Sequence, residues 1–137
     1  MKKTLYALAL GVTIISCNSS KKQEKIIQKQ VLDLHEKVMA DYEKALINKM
    51  KLDTLVTQAK LVKADTDTLN SMRVKLNTAS EAMDNWMANF TPDYTGKGHD
   101  DVMRYFTEEQ TKVQLVDSLL LSATKQSATY LQNIKKK

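Results

Sequence analysis

The sequence predicts an all-α protein that folds as an antiparallel three-helix bundle, up-down-up, with coiled-coil-like packing. The first observation behind this prediction is the scarcity of residues that break helices. The chain of 137 residues contains 3 Gly and 1 Pro, whereas average usage would give about 16 of the two together. The second is that apolar residues recur at alternating spacings of three and four over most of the chain. That period is typical of helices packed along a coiled-coil-like seam.

The first sixteen residues have the pattern of an export signal. Lys2 and Lys3 precede a mostly apolar stretch at residues 4–15. This stretch is too short for a spanning helix, which needs about 20 residues, but it has the length of the central region of a signal peptide. It continues into Ile-Ile-Ser-Cys, ending at Cys17, which resembles the lipobox of bacterial lipoproteins. The resemblance implies cleavage before Cys17 and lipidation of its thiol; an ordinary secretory signal or an uncleaved anchor is the alternative.

A lipidated Cys17 would hold the protein on a membrane. Lipoprotein cysteines carry a diacylglyceryl group and usually an amide-linked acyl chain, and stable anchoring takes at least two chains. Asn18 stands where an Asp would signal inner-membrane retention in enteric lipoproteins, so we expect the outer membrane, on its periplasmic side or at the cell surface. The predicted organisation is a signal peptide at 1–16, the lipidated cysteine with a polar tether at 17–25, and a helical bundle domain at 26–137.

One segment breaks the helical pattern strongly. Pro92, Gly96 and Gly98 all fall within residues 91–99, which predicts a loop. The Asp and Thr residues at 65–68 suit a turn followed by a helix N-cap, and two aspartates directly after the loop suit the first turn of another helix. The sequence therefore predicts helices at 24–64, 67–90 and 100–134.

These helices would be unequal, at about 60, 36 and 52 Å for 1.5 Å per residue. Either the first helix bends near 48–53 and makes four helices, or residues 27–38 and 130–134 overhang with exposed apolar stripes. Such overhangs would bind a partner, and self-association is the simplest choice. Asn48 and Glu109 interrupt the seams, and we expect them to lie at similar heights, fix the register and hydrogen-bond to each other.

A motif in the second predicted helix supports a family resemblance. Residues 81–87, Glu-Ala-Met-Asp-Asn-Trp-Met, are followed by Asn89 and Phe90. This segment resembles a family of small lipoproteins of Bacteroidota that also have a lipobox and a Met-rich helical body. Some of them are described as similar to a viral A-type inclusion protein, a likeness of coiled-coil sequences. The resemblance implies a helical, lipid-anchored envelope protein and brings no activity, cofactor or catalytic residue with it.

No residue pattern indicates catalysis. The spacing supports no Ser/His/Asp set, no carboxylate dyad and no phosphate-binding loop. The net charge is +5, but the basic excess lies at the two ends of the chain, which is not the basic face of a nucleic-acid binder. We therefore expect a structural or protein-interaction module with no enzymatic activity and no cofactor, whose partner is an envelope protein or a second copy. Trp86 and Phe90 should cap one end of the core, and Tyr94 on the loop is the candidate for an exposed contact.

Two alternatives remain open from the sequence. Three pairs of residues lie one helical turn apart and carry imidazole or thioether groups, which suit copper or silver ions. They are His35/Met39, Met83/Met87 and His99/Met103. Methionine also fills helical cores without any metal. The second alternative is a tether from the outer membrane to peptidoglycan, since Cys17 and Lys137 resemble the ends of the major peptidoglycan-linked lipoprotein of enteric bacteria.

Overall fold

The computed structural model describes the backbone of residues 16–62 and 66–135. Within those ranges it contains three helices and no strand. The helices are α1 (Ser16–Leu61), α2 (Asp67–Asn89) and α3 (His99–Lys135). Each helix packs against both of the others. The structure therefore confirms the predicted all-α three-helix bundle.

The first helix is longer than predicted and does not bend into two. α1 runs unbroken through 48–53, so the four-helix alternative is wrong. It begins at Ser16 and not near residue 24, and the polar segment 18–25, expected to be a tether, is helical. That segment holds neither Gly nor Pro, so nothing in it interrupts the helix. The signal peptide predicted at 1–16 lies outside the described residues except for Ser16. Within the described chain, no helix combines the length and apolarity that crossing a membrane requires.

The core consists of three rows of side chains that repeat every seven residues. Almost every member of the rows is fully shielded from solvent, and the least buried, Leu69, is 6% exposed. A strict seven-residue repeat keeps one face of each helix against its neighbours and favours left-handed, coiled-coil-like packing. The rows are Val31, Val38, Ala45 and Leu52 on α1; Leu69, Leu76 and Met83 on α2; and Phe106, Val113, Leu120 and Ser127 on α3.

α1 and α3 run parallel along most of their lengths, and α2 runs antiparallel to both. Three side-chain contacts show the register of α1 against α3. They join Glu24 to His99, Lys37 to Asp117 and Asn48 to Ser127. Because α3 starts beside Glu24, the loop after α2 lies against the lower part of α1, where the Gln28 Nε2 donates to the Pro92 carbonyl at 2.7 Å.

This register corrects two predictions. The overhang expected at 27–38 is covered, and Val31 and Val38 within it are 0% exposed, because the loop and the start of α3 extend past the end of α2. The hydrogen bond expected between Asn48 and Glu109 is not formed, since these residues lie at different heights of the bundle. At 130–134 the expected exposure remains in part, with Ile134 38% exposed.

Thr66 directly precedes α2, and a tight turn lies in the loop that follows this helix. Thr66 occupies the N-cap position, although its side chain does not cap the helix and its Oγ1 accepts a hydrogen bond from Asn70 at 3.1 Å. In the loop between α2 and α3, Gly96 has φ +80 in a turn closed by the Lys97 amide, which donates to the Tyr94 carbonyl at 3.1 Å. The turn positions Tyr94 and Lys97, which both contribute to a surface described below.

Replacing Gly96 with alanine should lower the free energy of unfolding by about 1 kcal/mol, because a side chain strains the left-handed backbone conformation. A Cβ at Gly96 would meet no atom within 4 Å, so backbone strain alone causes the loss. Gly98→Ala is the matched control, since Gly98 has no positive φ and its Cβ would make only an ordinary contact with Asp101 at 3.8 Å. Urea unfolding followed by helical circular dichroism measures both. Equal midpoints for the two variants would contradict the prediction.

Candidate binding surfaces

A groove between α1 and α3 is a candidate binding surface of the described bundle. We call it the distal groove because it lies toward the end of the bundle opposite Ser16. Its volume is about 480 Å³, and side chains of α1 and α3 alone line it. Apolar atoms form most of its surface, with amide, hydroxyl and ammonium groups at its rims. The lining residues are Asn48, Lys51, Thr54, Leu55, Gln58, Ala128, Leu131, Gln132 and Ile134.

A buried polar contact holds the two walls of the distal groove together. The Asn48 Nδ2 donates to Ser127 Oγ at 3.0 Å and to the Thr124 carbonyl at 3.3 Å. Ser127 in turn donates to the Ala123 carbonyl at 2.8 Å. Asn48 and Ser127 are 8% and 0% exposed, so α1 and α3 cannot slide past each other here without leaving buried polar groups unpaired. This contact therefore fixes the position of one groove wall relative to the other.

Exposed apolar side chains also lie on the outer face of α1 at the heights of the distal groove. Ile47, Met50 and Leu61 are 42%, 68% and 80% exposed. Spacings of three and eleven residues place them on one face of the helix. The outer face of α1 nearer Ser16 is rich in Lys, Asp and Glu instead. Exposed apolar side chains that cluster in this way are typical of interaction surfaces.

Aromatic rings fill the core at the other end of the bundle. Trp86, 7% exposed, stacks on Phe90 at 4.8 Å between ring centroids and lies 5.4 Å from the ring of His35. The Trp86 Nε1 donates to Glu109 Oε2 at 2.8 Å, so the polar atom of the indole is paired within the core. These contacts agree with the expectation that Trp86 and Phe90 cap one end of the core.

Glu109 is buried, and each of its two carboxylate oxygens accepts a hydrogen bond. Its side chain accepts hydrogen bonds from Trp86 and from Lys112 Nζ, the latter at 2.6 Å. The hydrogen bond to Glu109 raises the pKa of Lys112 above its ordinary 10.5. A carboxylate held by an indole and an ammonium serves the packing of α2 against α3.

Tyr94 is less free than the loop sequence suggested. Its ring meets Phe106 edge-on at 5.6 Å between centroids, and the residue is half-buried against the core. Phe106 also contacts Tyr105 at 5.2 Å, and the Tyr105 hydroxyl accepts a hydrogen bond from the Thr91 amide at 2.8 Å. The aromatic side chains thus fasten the loop to the bundle. Only the number of aromatic residues around the loop hints at this contact in the sequence.

Beside this loop lies a pocket with three lysines among its seven lining residues. Lys21 and Lys25 of α1 face Lys97 of the loop across a cavity of about 220 Å³. We call it the basic cradle. Its lining is completed by Glu24, Tyr94, Thr95 and Gly96.

The structure does not bring the six candidate metal ligands together. His99 Nδ1 lies 2.9 Å from Glu24 Oε1, whereas His35 contacts Trp86 eleven residues further along α1, about 16 Å in a helix. Metal–nitrogen bonds are about 2 Å long, so one ion could not bind both histidines. Of the methionines, Met83 is 0% exposed in the core and Met39 packs partly buried against it. The described residues contain no group of three His, Cys, Asp or Glu side chains placed to hold a metal ion.

The remaining candidate residues lie at or beyond the limits of the description. Cys17 belongs to the first turn of α1, but its side chain is outside the described part, as is Lys137. Met87 is 36% exposed on α2, and Met103 is half-buried on α3.

No protein-family model, curated protein or solved structure matches the chain. The fold and its surfaces define it as a helical-bundle protein. The resemblance to Bacteroidota lipoproteins stays a prediction.

An ion-pair network joins α1 to α2 near the distal groove. Asp53 accepts hydrogen bonds from Arg73 Nε and, at 3.4 Å, from Lys49 Nζ. Partial burial alone would raise the pKa of Asp53, but the bonds from Arg73 and Lys49 outweigh it and hold the pKa below its ordinary 3.8. This carboxylate therefore stabilises the folded state in its ionised form.

Asp53→Asn should destabilise the bundle near neutral pH and lose its effect in acid. A carboxyl with a lowered pKa in the folded state contributes stability above its unfolded pKa, and that stability is lost as pH falls through the folded pKa. The difference in urea midpoint between wild type and Asp53→Asn should thus shrink as pH falls below 3.8. Asp33→Asn is the control, because its exposed ion pair with Lys29 lies within one turn of α1 and contributes little. A difference that grows in acid would contradict this assignment.

Proposed function

We propose that the chain is a lipid-anchored envelope protein whose helical bundle acts as a protein-interaction module, without catalytic activity. The observation that carries the proposal is the position of the distal groove. Residue 54, in its wall, is 37 positions from Cys17 on one continuous helix, which corresponds to about 55 Å. A protein anchored at Cys17 would present this groove well away from the lipid surface.

The distal groove has the shape and chemistry to receive an amphipathic helix. Its two walls are parallel helices, and a helix packs well into the groove between two others. Leu55, Leu131 and Ile134 offer an apolar floor, while Gln58 and Gln132 offer hydrogen-bonding groups at the rims. Lys51, which makes no ion pair in the described chain, favours a partner helix with a carboxylate at its edge. The wall between Asn48 and Gln58 is long enough for about three turns of such a helix.

Site-specific photo-crosslinking in the native envelope tests this proposal. A photoreactive residue at Gln132 faces the distal groove, and the same residue at Asn133 faces the side of α3 toward α2. We expect one discrete protein adduct from position 132 and none from 133. Ile134→Glu should abolish the adduct because it puts a charge into the apolar groove, whereas Leu115→Glu, at a residue 62% exposed elsewhere on α3, should leave it intact. Equal adducts from both positions, or an adduct insensitive to Ile134→Glu, would overturn the groove assignment.

A peptidoglycan tether is the second candidate, and one observation supports it. Because α1 and α3 run parallel, residues 16 and 135 lie at opposite ends of the bundle, about 60 Å apart. A lipid at one end and a wall linkage through Lys137 would therefore span the length of the bundle. The mass of protein released from the envelope by muramidase tests this: a retained muropeptide supports the tether, and an acylated chain without one excludes it.

A further inference from the structure

The basic cradle combines lysines from two parts of the chain that are distant in sequence. Lys21 and Lys25 lie one turn apart on the same face of α1. Lys97 reaches the same cavity from the turn that Gly96 allows, 72 residues after Lys25. The helix and the turn are both held by the bundle, so the three side chains converge because of the fold and not because of their spacing in the sequence.

The lining of the cradle carries an excess of positive charge, with three lysines and one glutamate. Glu24 is the one carboxylate in its lining, and it is engaged by the His99 ring at 2.9 Å with only 12% of its side chain exposed. Lys21 and Lys25 form no ion pair with any described residue, and the Lys97 ammonium lies 5.3 Å above the Tyr105 ring. Asp93 on the same loop accepts hydrogen bonds at Oδ1 from the amide and hydroxyl of Thr95, and its charge offsets part of that of Lys97. Lys21 and Lys25 therefore supply most of the free positive charge. The cradle therefore offers ammonium groups to an anion from outside the protein.

The position of the cradle on α1 indicates which anion. Since α1 is helical from Ser16, Lys21 lies four residues, or about 6 Å, from Cys17 along the helix. That separation is shorter than the screening length of about 8 Å at physiological ionic strength. A lipid on Cys17 would thus bring the cradle to the level of the lipid headgroups, where anionic phosphates are abundant.

We propose that the basic cradle binds the phosphates of anionic lipid headgroups and docks the loop end of the bundle on the membrane. This inference rests on the lipid anchor proposed above, because the anchor supplies the proximity. Docking at the loop end would hold α1 upright by two attachments, its acyl chains and the cradle. The distal groove then faces away from the bilayer.

Proximity of the loop to headgroups tests the proposal on the protein purified in its mature form. Its mass is measured first, and it reports acylation independently of docking. Thr91→Cys then provides a free thiol for a fluorophore, since Cys17 is the only native cysteine. The labelled protein is placed on phosphatidylcholine vesicles, with or without phosphatidylglycerol, that carry a headgroup-attached quencher. We expect several-fold stronger quenching with phosphatidylglycerol, and none at a label on Gln58→Cys.

Two triple variants with the same change of charge separate the cradle from general basicity. Replacing Lys21, Lys25 and Lys97 with glutamine should abolish the extra quenching. Replacing Lys37, Lys44 and Lys51 with glutamine, elsewhere on α1, should preserve it. Equal quenching on both vesicles, or equal loss in both variants, would overturn the cradle. Displacement by inorganic phosphate at constant ionic strength would overturn the lipid assignment in favour of a soluble phosphate.

The experiment distinguishes failure of the lipid-anchor proposal from failure of the proposal that the cradle binds headgroups. If the mass shows no acyl chain, the anchor proposal fails, and the unacylated protein is sedimented with the same two kinds of vesicle. Sedimentation that requires phosphatidylglycerol and is lost in the cradle variant alone would still support the cradle. Sedimentation that stays the same when the cradle lysines are replaced would overturn the proposal that the cradle binds headgroups.

Discussion

Replacing Trp86 with alanine should lower the free energy of unfolding by about 3–5 kcal/mol. The indole is 7% exposed and lies between His35 and Phe90, with ring centroids 5.4 and 4.8 Å away. Truncation removes these contacts and leaves a cavity. It also removes one of the two hydrogen-bond donors to Glu109, which is itself 4% exposed. Urea unfolding followed by circular dichroism measures the loss.

Two further variants divide that loss into its parts. Trp86→Phe keeps an aromatic ring but removes the Nε1 donor and part of the ring volume, so leaving Glu109 less satisfied should contribute about 1–3 kcal/mol beside a smaller packing loss than in Trp86→Ala. Met87→Ala, at the next residue of α2 and 36% exposed, should cost about 1 kcal/mol or less. A Trp86→Ala variant as stable as Met87→Ala would show that the indole does not contribute to the core.

The buried face of each helix could be predicted from the sequence, but the alignment of the helices along the bundle axis could not. The seven-residue repeat through Val31, Val38 and Ala45 marks a buried face without a partner being known, because burial follows the helical period. The position of a residue along the bundle axis depends on where its helix starts and on how the loop packs against the bundle. The expected pairing of Asn48 with Glu109 failed for this reason. Each residue is buried as its seam position implied, yet each bonds to a different partner, Ser127 and Trp86.

The candidate surfaces were harder to predict than the core. The distal groove depends on the separation between α1 and α3, which no spacing of Leu55 or Leu131 reveals. The sequence placed Tyr94 in a loop but did not reveal that its ring packs against Phe106, which leaves it half-buried. Its role as a binding residue stays a prediction. The metal hypothesis rested on residues four apart, a local rule that says nothing about where two such pairs lie relative to each other. His35 and His99 are at different heights for the same reason that Asn48 and Glu109 are.

Replacing Cys17 with alanine should release the protein from membranes. Each acyl methylene buried in the bilayer contributes about 0.8 kcal/mol, and two or three chains hold a protein stably, so removing the lipidated thiol removes most of the attachment. The variant is exported behind an ordinary cleavable signal sequence so that residues 1–16 cannot retain it. Fractionation of soluble and membrane material, with the wild-type protein as reference, measures the release.

Salt separates the acyl anchor from the basic cradle in the same fractionation. Acyl insertion is apolar and should resist a high-salt wash, whereas lysine–headgroup attraction is screened within about 3 Å at 1 M salt. Wild type should therefore remain on membranes at any salt. The Cys17→Ala protein should be soluble at high salt, and at low salt only a fraction that depends on Lys21, Lys25 and Lys97 should stay bound. Retention of Cys17→Ala through a high-salt wash would contradict the lipid anchor, because an attachment other than Cys17 would then hold the bundle.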